Sequence, residues 1–457
     1  MTLAAVADAV GGRSDGDLSA VVSGPVVTDA RLAEPGSLYV ARRGEHADGH
    51  DFVAQAAERG ATAALTDRVV TGLPCVVVPD VQQAFAALAR AVVAQVTNLT
   101  VVAVTGSSGK TSTKDLLAQV LATHGPTVAS KESFNGEVGV PLTALRVQRE
   151  TRYLVLEMGA RGIGHLSYLT SIVLPDVSVV LNVGSAHVGE FGSIQAIAEA
   201  KSELVTALAP GALTVLNADD PRVAAMAALT PARVLTVGES AGADVRAEQV
   251  RLDDLGRPSF ALITPAGDAQ VRLRLHGQHH VGNALAVAAV ALELGMTLAD
   301  VASALSSATA VSRWRMQVTE RADGVTVVND AYNANPESVR AALKALVGMT
   351  RGGRSWAVLG EMLELGDDAV AEHDGIGRLA VRLGVSRLVV VGRGAAALHT
   401  GALMEGSWGE ESVLVPDTDA AFDLLSEQLR PGDVVLLKSS RDAGLRWLGD
   451  RLAGIGP

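Results

Sequence analysis

The chain is poor in cysteine: in 457 residues there is one, Cys75, inside the apolar run LPCVVVP. A single thiol cannot close an intrachain disulfide or build a thiolate zinc site, and such sparing use fits a reducing compartment, the cytoplasm. Basic charge is also short. Lys and Arg number 38 against 50 Asp and Glu, a formal net charge of −12. That balance excludes the general electrostatic footprint of a nucleic-acid binder, so an anionic substrate would need locally placed cations or metal ions. Aromatic residues are only 3% of the chain while apolar residues are 48%, the composition of a soluble α/β enzyme with alanine-built helices. No apolar run is long enough to span a bilayer. The opening MTLAAVADAVGG lacks a basic segment and is interrupted by Asp8, so no signal peptide and no membrane insertion are expected. There is no sequence repeat, low-complexity tract or long charged tail.

What is present is α/β patterning in three stretches, since 457 residues are too many for one core. Residues 1–97 read as a small α/β domain with strands at GSLYVA, AALTD and CVVVPD and helices at FVAQAAERG and VQQAFAALARAVVAQV. Residues 98–310 read as a second domain. Buried runs LTVVAVTG, RYLVLEMGA and DVSVVLNVG alternate with helices, the pattern of a mostly parallel sheet covered on both faces. Between 243 and 275 the texture changes to alternating strands, expected as a small antiparallel appendage. Residues 311–457 alternate strands (VTVVND, SWAVLGE, RLVVVGRG, GDVVLLKSS) with helices, a second doubly wound, Rossmann-like sheet. The polar stretch SSATAVSRW, 306–314, suits a hinge between the last two.

The densest chemical signal is VTGSSGKTSTKD, residues 104–115. It follows a strand and opens a helix, the context of a phosphate loop, although Val104 stands where the commonest version has its first glycine. Backbone N–H groups across Thr105, Gly106, Ser107, Ser108, Gly109, Lys110, Thr111 and Ser112 could surround phosphate oxygens. The Lys110 ammonium could neutralise them, and the Thr111 hydroxyl could hold Mg²⁺. Glu157 and His187 each lie just past a predicted parallel strand, at the edge where such sheets collect ligands, and could complete a divalent metal site.

Lys201 interrupts the stripe Ile194, Ile197, Leu204, Leu208 of a predicted helix. A buried ammonium is costly. Either the side chain snorkels from the helix edge, or its amine has reacted with CO₂ to give a carbamate suited to Mg²⁺. In VVNDAYNANPESV, Asp330, Tyr332, Asn333 and Asn335 crowd a strand end before a helix starting at Pro336. They are either a plain turn and cap or a site for a peptide or nucleotide.

Taken together, TGSSGKT, Glu157 in LEMGA, NVGSAH and AKSEL resemble the Mur ligases, ATP-dependent amide-forming enzymes of peptidoglycan synthesis. DAYNANPESV, GEMLELG and KSSRDAGL narrow the resemblance to the branch that joins D-alanyl-D-alanine to UDP-N-acetylmuramoyl-tripeptide. RRGEHADGHDF is similar to the segment by which that branch approaches the UDP sugar. The resemblance implies three domains that bind the UDP substrate, ATP and the dipeptide. It implies an acyl-phosphate route with ATP and two Mg²⁺ ions, and a cytoplasmic monomer serving cell-wall growth, shape and division. It implies that Lys110, Glu157, His187 and Lys201 are catalytic, and that Thr111, Glu157, His187 and carbamylated Lys201 hold metal. Asn283, Arg315 and Asp330 join the phosphate loop around the nucleotide. Asp29, Arg43, Gly44, Asp48, His50, Asn135, Glu137, Tyr332, Asn333, Asn335, Lys438 and Arg441 are implied at the substrates. Gly136, His280, Glu361 and Ser439 depart from the family pattern. Another ligase of the superfamily, adding diaminopimelate, lysine or glutamate, and a nucleotide switch are the alternative readings.

Overall fold

The computed structural model describes residues 1–44, 46–184, 188–406 and 411–456. The chain is α/β with three sheets of five, nine and six strands, and it folds as two compact units.

The first unit comprises residues 1–103, 125–159 and 166–177. Its five-stranded sheet runs in the order Arg13–Asp15, Cys75–Val77, Ala63–Thr66, Leu38–Val40, Val26–Val27. Only the first pair is antiparallel. Leu38, Val40, Leu65 and Val76 bury one face against Phe85 and Leu88 of the helix Val81–Ala94. Asp80 caps that helix by accepting from Gln83 N, which replaces one of the amide partners a helix start lacks. The same unit holds the parallel pair Thr127–Ala129 and Tyr153–Glu157.

The second unit comprises residues 104–124, 160–165 and 178–457. Of the nine-stranded sheet it holds the run Gly267–Arg272, Pro258–Thr264, Val245–Leu252, Arg233–Gly238, Leu213–Asn217 and most of Val177–Val180. The expected antiparallel appendage is the edge of this sheet and not a separate feature. Val237 and Gly238 pair in parallel with Val245 and Arg246, and only then do the antiparallel hairpins follow. Alternating burial at that edge hid the continuity, because the edge strands have one face in water.

The six-stranded sheet runs Gln317–Glu320, Thr326–Asn329, Val434–Lys438, Ser355–Leu359, Arg387–Val391, Ser412–Val415, parallel except for its first edge strand. Val328, Leu359 and Val390 face one core, and Val327, Val358 and Val389 the other. Both faces are therefore dry, which is why these strands read as unbroken apolar runs. Among the described residues no helix is long and apolar enough to cross a membrane.

Candidate active site

The strand Thr100–Thr105 delivers the chain into the phosphate loop, and the helix Lys110–Ala122 leaves it. Gly109 sits at φ 79°, the left-handed region where a side chain is strained. A Cβ there would also lie 2.8 Å from Asn283 Oδ1. At Gly106 a Cβ would lie 2.9 Å from Leu181 Cβ. Both glycines are thus required by close approach. Lys110 Nζ donates to Gly106 O at 2.6 Å, folding the lysine back over the loop. Thr111 is buried, and Thr105 Oγ1 is buried without a hydrogen-bond partner among the described residues.

Asn182, which the sequence reading passes over, holds this loop in shape. Its Oδ1 accepts from Ser108 N at 2.9 Å and Ser108 Oγ at 3.3 Å, and its Nδ2 donates to Ser108 O at 3.2 Å. Its backbone oxygen accepts from Ser107 N at 3.0 Å. The signal was available: an amide directly after the apolar run VSVVL, at the sheet edge where ligands gather.

Lys201 lies on the helix Ile194–Thr206, which Ser193 caps, and is only 4% exposed. It does not snorkel. Burial, with the Lys110 charge adding to it, pushes its amine down to about 7. The side chain therefore presents a largely neutral, nucleophilic amine above neutral pH. Asn283 is in the first turn of the helix His280–Glu293 and buried, with His280 Nδ1 3.4 Å from its Nδ2. His280 is held well below the ordinary histidine range by burial and by His279 and His276.

In the C-terminal sheet the crowded strand ends form one network. Lys438 Nζ, 3% exposed, donates to Asp330 Oδ2 at 2.6 Å, Asn333 O at 3.0 Å and Asp330 O at 3.3 Å. Asp330 Oδ1 accepts from Met316 N at 3.0 Å. The Arg315 guanidinium stacks 4.4 Å above the Tyr332 ring, with Arg441 at 5.7 Å. Arg315 Nε is buried and has no hydrogen-bond partner among the described residues. The Asn335 side-chain oxygen caps the helix Pro336–Met349 in a reciprocal box with Ser338, a structural use of that residue. His279, also missed in the sequence, is held below the ordinary histidine range by burial, with the Asp330 carboxylate opposing and the Lys438 ammonium adding to it. The departures Glu361 and Ser439 also lie at strand ends of this sheet: Ser440 N donates to Glu361 O at 2.9 Å, and Ser439 is fully buried.

In the first unit, Asp48, His50, Arg43 and Asp67 are linked. His50 Nδ1 lies 2.6 Å from Asp48 and Nε2 3.1 Å from Asp67, which pairs with Arg43 at 3.0 Å. The His50 backbone and ring N–H groups, then Arg68, hold the Asp48 carboxyl well below the usual range. Gly44 N donates to Ala47 O at 2.9 Å, closing the turn, and Asp29 pairs with Arg31 at 2.7 Å. Glu157 is buried at the end of its strand and accepts from Asn135 Nδ2 at 2.8 Å. Glu137 offers its backbone oxygen to Gln82 Nε2 at 2.7 Å, and a Cβ at Gly136 would meet nothing within 4 Å. His187 lies outside the described residues. Among the described residues, no three carboxylate, imidazole or thiolate groups converge as a metal site.

Comparison with known proteins agrees along the whole chain. Residues 25–107 match the family model "Mur ligase family, catalytic domain", 104–291 "Mur ligase middle domain" and 314–441 "Mur ligase, glutamate ligase domain". The chain is 50% identical to a UDP-N-acetylmuramoyl-tripeptide–D-alanyl-D-alanine ligase of Mycobacterium tuberculosis (strain ATCC 25618 / H37Rv), covering 99% of this chain and 97% of that one. A crystal structure of MurF from Acinetobacter baumannii superposes with a TM-score of 0.89 at 32% identity, covering 99% and 98% of the two chains. MurF ligase from Thermotoga maritima, solved in complex with ADP, superposes at 0.82 with 29% identity, covering 95% and 98%.

Proposed function

The chain belongs to the Mur ligase family, and on that premise we propose that it is an ATP-dependent peptide ligase joining D-alanyl-D-alanine to UDP-N-acetylmuramoyl-tripeptide in peptidoglycan precursor synthesis. The observation that carries this reading is the full-length 50% identity to a ligase of that name. The phosphate loop ordered by Asn182 and the Asp330–Lys438–Asn333 network are consistent with it.

A carboxylate and an amine do not condense in neutral water, so the carboxylate must be activated. In this reading the tripeptide carboxylate attacks the γ-phosphorus of ATP, ADP leaves, and an acyl phosphate forms. The dipeptide amine then attacks the acyl carbon, loses a proton and expels phosphate. The first step brings two anions together. Lys110 supplies the fixed positive charge that offsets their repulsion, and the loop N–H groups orient the phosphates. Asn283, Arg315 and Asp330 are assigned to the nucleotide. Tyr332, Asn333, Asn335, Lys438 and Arg441 are assigned to the dipeptide or the phosphates, Asp29, Arg43, Gly44, Asp48 and His50 to the UDP substrate, and Asn135 and Glu137 to a substrate loop. In this reading residues 1–97 form the UDP-substrate domain, 98–310 the ATP domain, and 311–457 the domain that binds the dipeptide and closes on ATP.

The residues that would hold Mg²⁺ are Thr111, Glu157, His187 and Lys201. The buried Lys201 amine fits that use only after reaction with CO₂, which replaces an N–H by a carboxylate and releases a proton. A divalent ion bound there would supply further charge neutralisation. The single buried cysteine supports a cytoplasmic location, and in this reading the protein works as a monomer without nucleic acid.

Phosphate release from ATP tests the reading, measured with the UDP-tripeptide and D-alanyl-D-alanine together and with each omitted. Release that needs both, with a UDP-pentapeptide product by mass, is expected. Release without either would move the chain to a nucleotide switch.

A further inference from the structure

The linker from the Asn283-bearing half of the second unit to the six-stranded sheet runs from Ala308 to Met316 without regular structure. A small open pocket lies beneath it, lined by Ser112, Asp115, Gln119, His280, Ser312 and Arg315 among others. Hydrogen bonds hold it. Gln119, in the third turn of the helix that begins with Lys110, grips both backbone groups of one linker residue. Its Oε1 accepts from Thr309 N at 3.0 Å and its Nε2 donates to Thr309 O at 2.9 Å. Asp115, one turn earlier on the same face, accepts from Ser312 Oγ at 2.5 Å and is paired on its other oxygen with the buried Lys114 ammonium.

The far end of the linker is fixed as firmly, in a strained shape. Trp314 and Met316 lie at φ 60° and 49°, the left-handed region, on either side of Arg315. Such residues persist only where their surroundings over-determine them. Here Trp314 N donates to Gln317 Oε1 at 3.1 Å, Trp314 Nε1 to Asp450 Oδ2 at 2.9 Å, and Met316 N to Asp330 Oδ1 at 3.0 Å. A short, strained segment is therefore tied at one end to the phosphate-loop helix and at the other to the sheet carrying Asp330 and Lys438.

We propose that Gln119 and Asp115 are positioning residues: they fasten the linker to the phosphate-loop helix and thereby set where the C-terminal catalytic network stands relative to a nucleotide held at Lys110. The proposal rests on the reading of the loop as the ATP site. Neither side chain touches a reacting atom. Each acts through the linker, because a transfer between groups carried on separate lobes falls steeply with a misplacement of about 1 Å.

Gln119→Leu keeps the volume and removes both bonds to Thr309. The expected result is a fall of about tenfold in kcat/KM for D-alanyl-D-alanine, with the Kd of a non-hydrolysable ATP analogue within threefold of wild type. Amide hydrogen exchange across residues 308–316 should accelerate by about tenfold. Gln119→Glu, which keeps the acceptor for Thr309 N, should recover part of both. A well-folded Gln119→Leu with unchanged dipeptide kinetics and unchanged exchange overturns the proposal, and so does an equal loss of nucleotide affinity. If Gln119→Leu does not fold, Ser312→Ala, which removes only the Asp115 bond, is judged by the same two readouts. If the wild type shows no dipeptide-dependent turnover, the functional reading fails, while exchange in 308–316 still decides whether the clamp exists.

Discussion

Replacing Asn182 by alanine removes three hydrogen bonds to Ser108 and leaves the strand behind it intact. The two bonds to backbone atoms, at 2.9 and 3.2 Å, are worth about 1 kcal/mol each, and the longer one to Ser108 Oγ less. Asn182 is only partly buried, so water can reach the freed Ser108 N–H and no further penalty for an orphaned group is added. The total of about 2 kcal/mol corresponds to roughly a thirtyfold loss. That loss should fall on KM for ATP more than on kcat, because bound phosphates supply fresh partners for the loop amides and restore its shape at saturation. The assay is phosphate release at saturating UDP-tripeptide and dipeptide over an ATP titration, with thermal melting to verify the fold. A loss below threefold in a folded variant would show that the loop is ordered without Asn182. A loss confined to the dipeptide KM would also refute the argument.

Lys438→Met leaves the Asp330 carboxylate without its buried cation, which should cost about 3–5 kcal/mol and lower the melting temperature by roughly 10 °C. Adding Asp330→Asn should recover part of the loss, and a melting point within 2 °C of wild type for the single variant would contradict the pairing. Gly109→Ala forces a side chain into φ 79° with its Cβ 2.8 Å from Asn283 Oδ1. Nucleotide affinity by calorimetry should fall about a hundredfold, and affinity within threefold would mean the loop refolds around the methyl group.

Lys201 predicts a pH dependence. Its amine titrates near 10.5 when unfolded and at about 7 when folded. Below about pH 7 both states are charged, and the native state bears the whole cost of the buried ammonium. Between those two values the unfolded state binds more protons, so stability rises with pH. In CO₂-depleted, metal-free buffer the wild type should gain stability from pH 6.5 to 9 relative to Lys201→Met, and parallel curves would refute the assignment. With ¹³C-bicarbonate, a carbamate signal absent from that variant is expected.

Residues that must be glycine, lysine or threonine for reasons internal to a short segment were legible in the chain itself. TGSSGKT between an apolar strand and a helix marks a phosphate loop, although Asn182, Leu181 and Asn283 complete its shape. Lys201 inside an apolar stripe was legible as an anomaly, with snorkelling and burial both open until the structure buried it, and the unbroken runs around Val327, Val358 and Val389 announced a sheet dry on both faces. Resemblance extended that local reading to the family and its reaction. Tertiary structure decided what depends on residues far apart in sequence. Asn182 grips a loop 74 positions earlier, Lys438 closes on Asp330 across 108, and Gln119 holds Thr309 across 190. It also showed Asn335 used as a helix cap, and the antiparallel strands joined to the central sheet. Periodicity and loop motifs are set by neighbours within a few positions along the chain. A hydrogen bond between distant segments leaves no such pattern in one sequence, because only the packing of sheets and helices brings its two ends within reach.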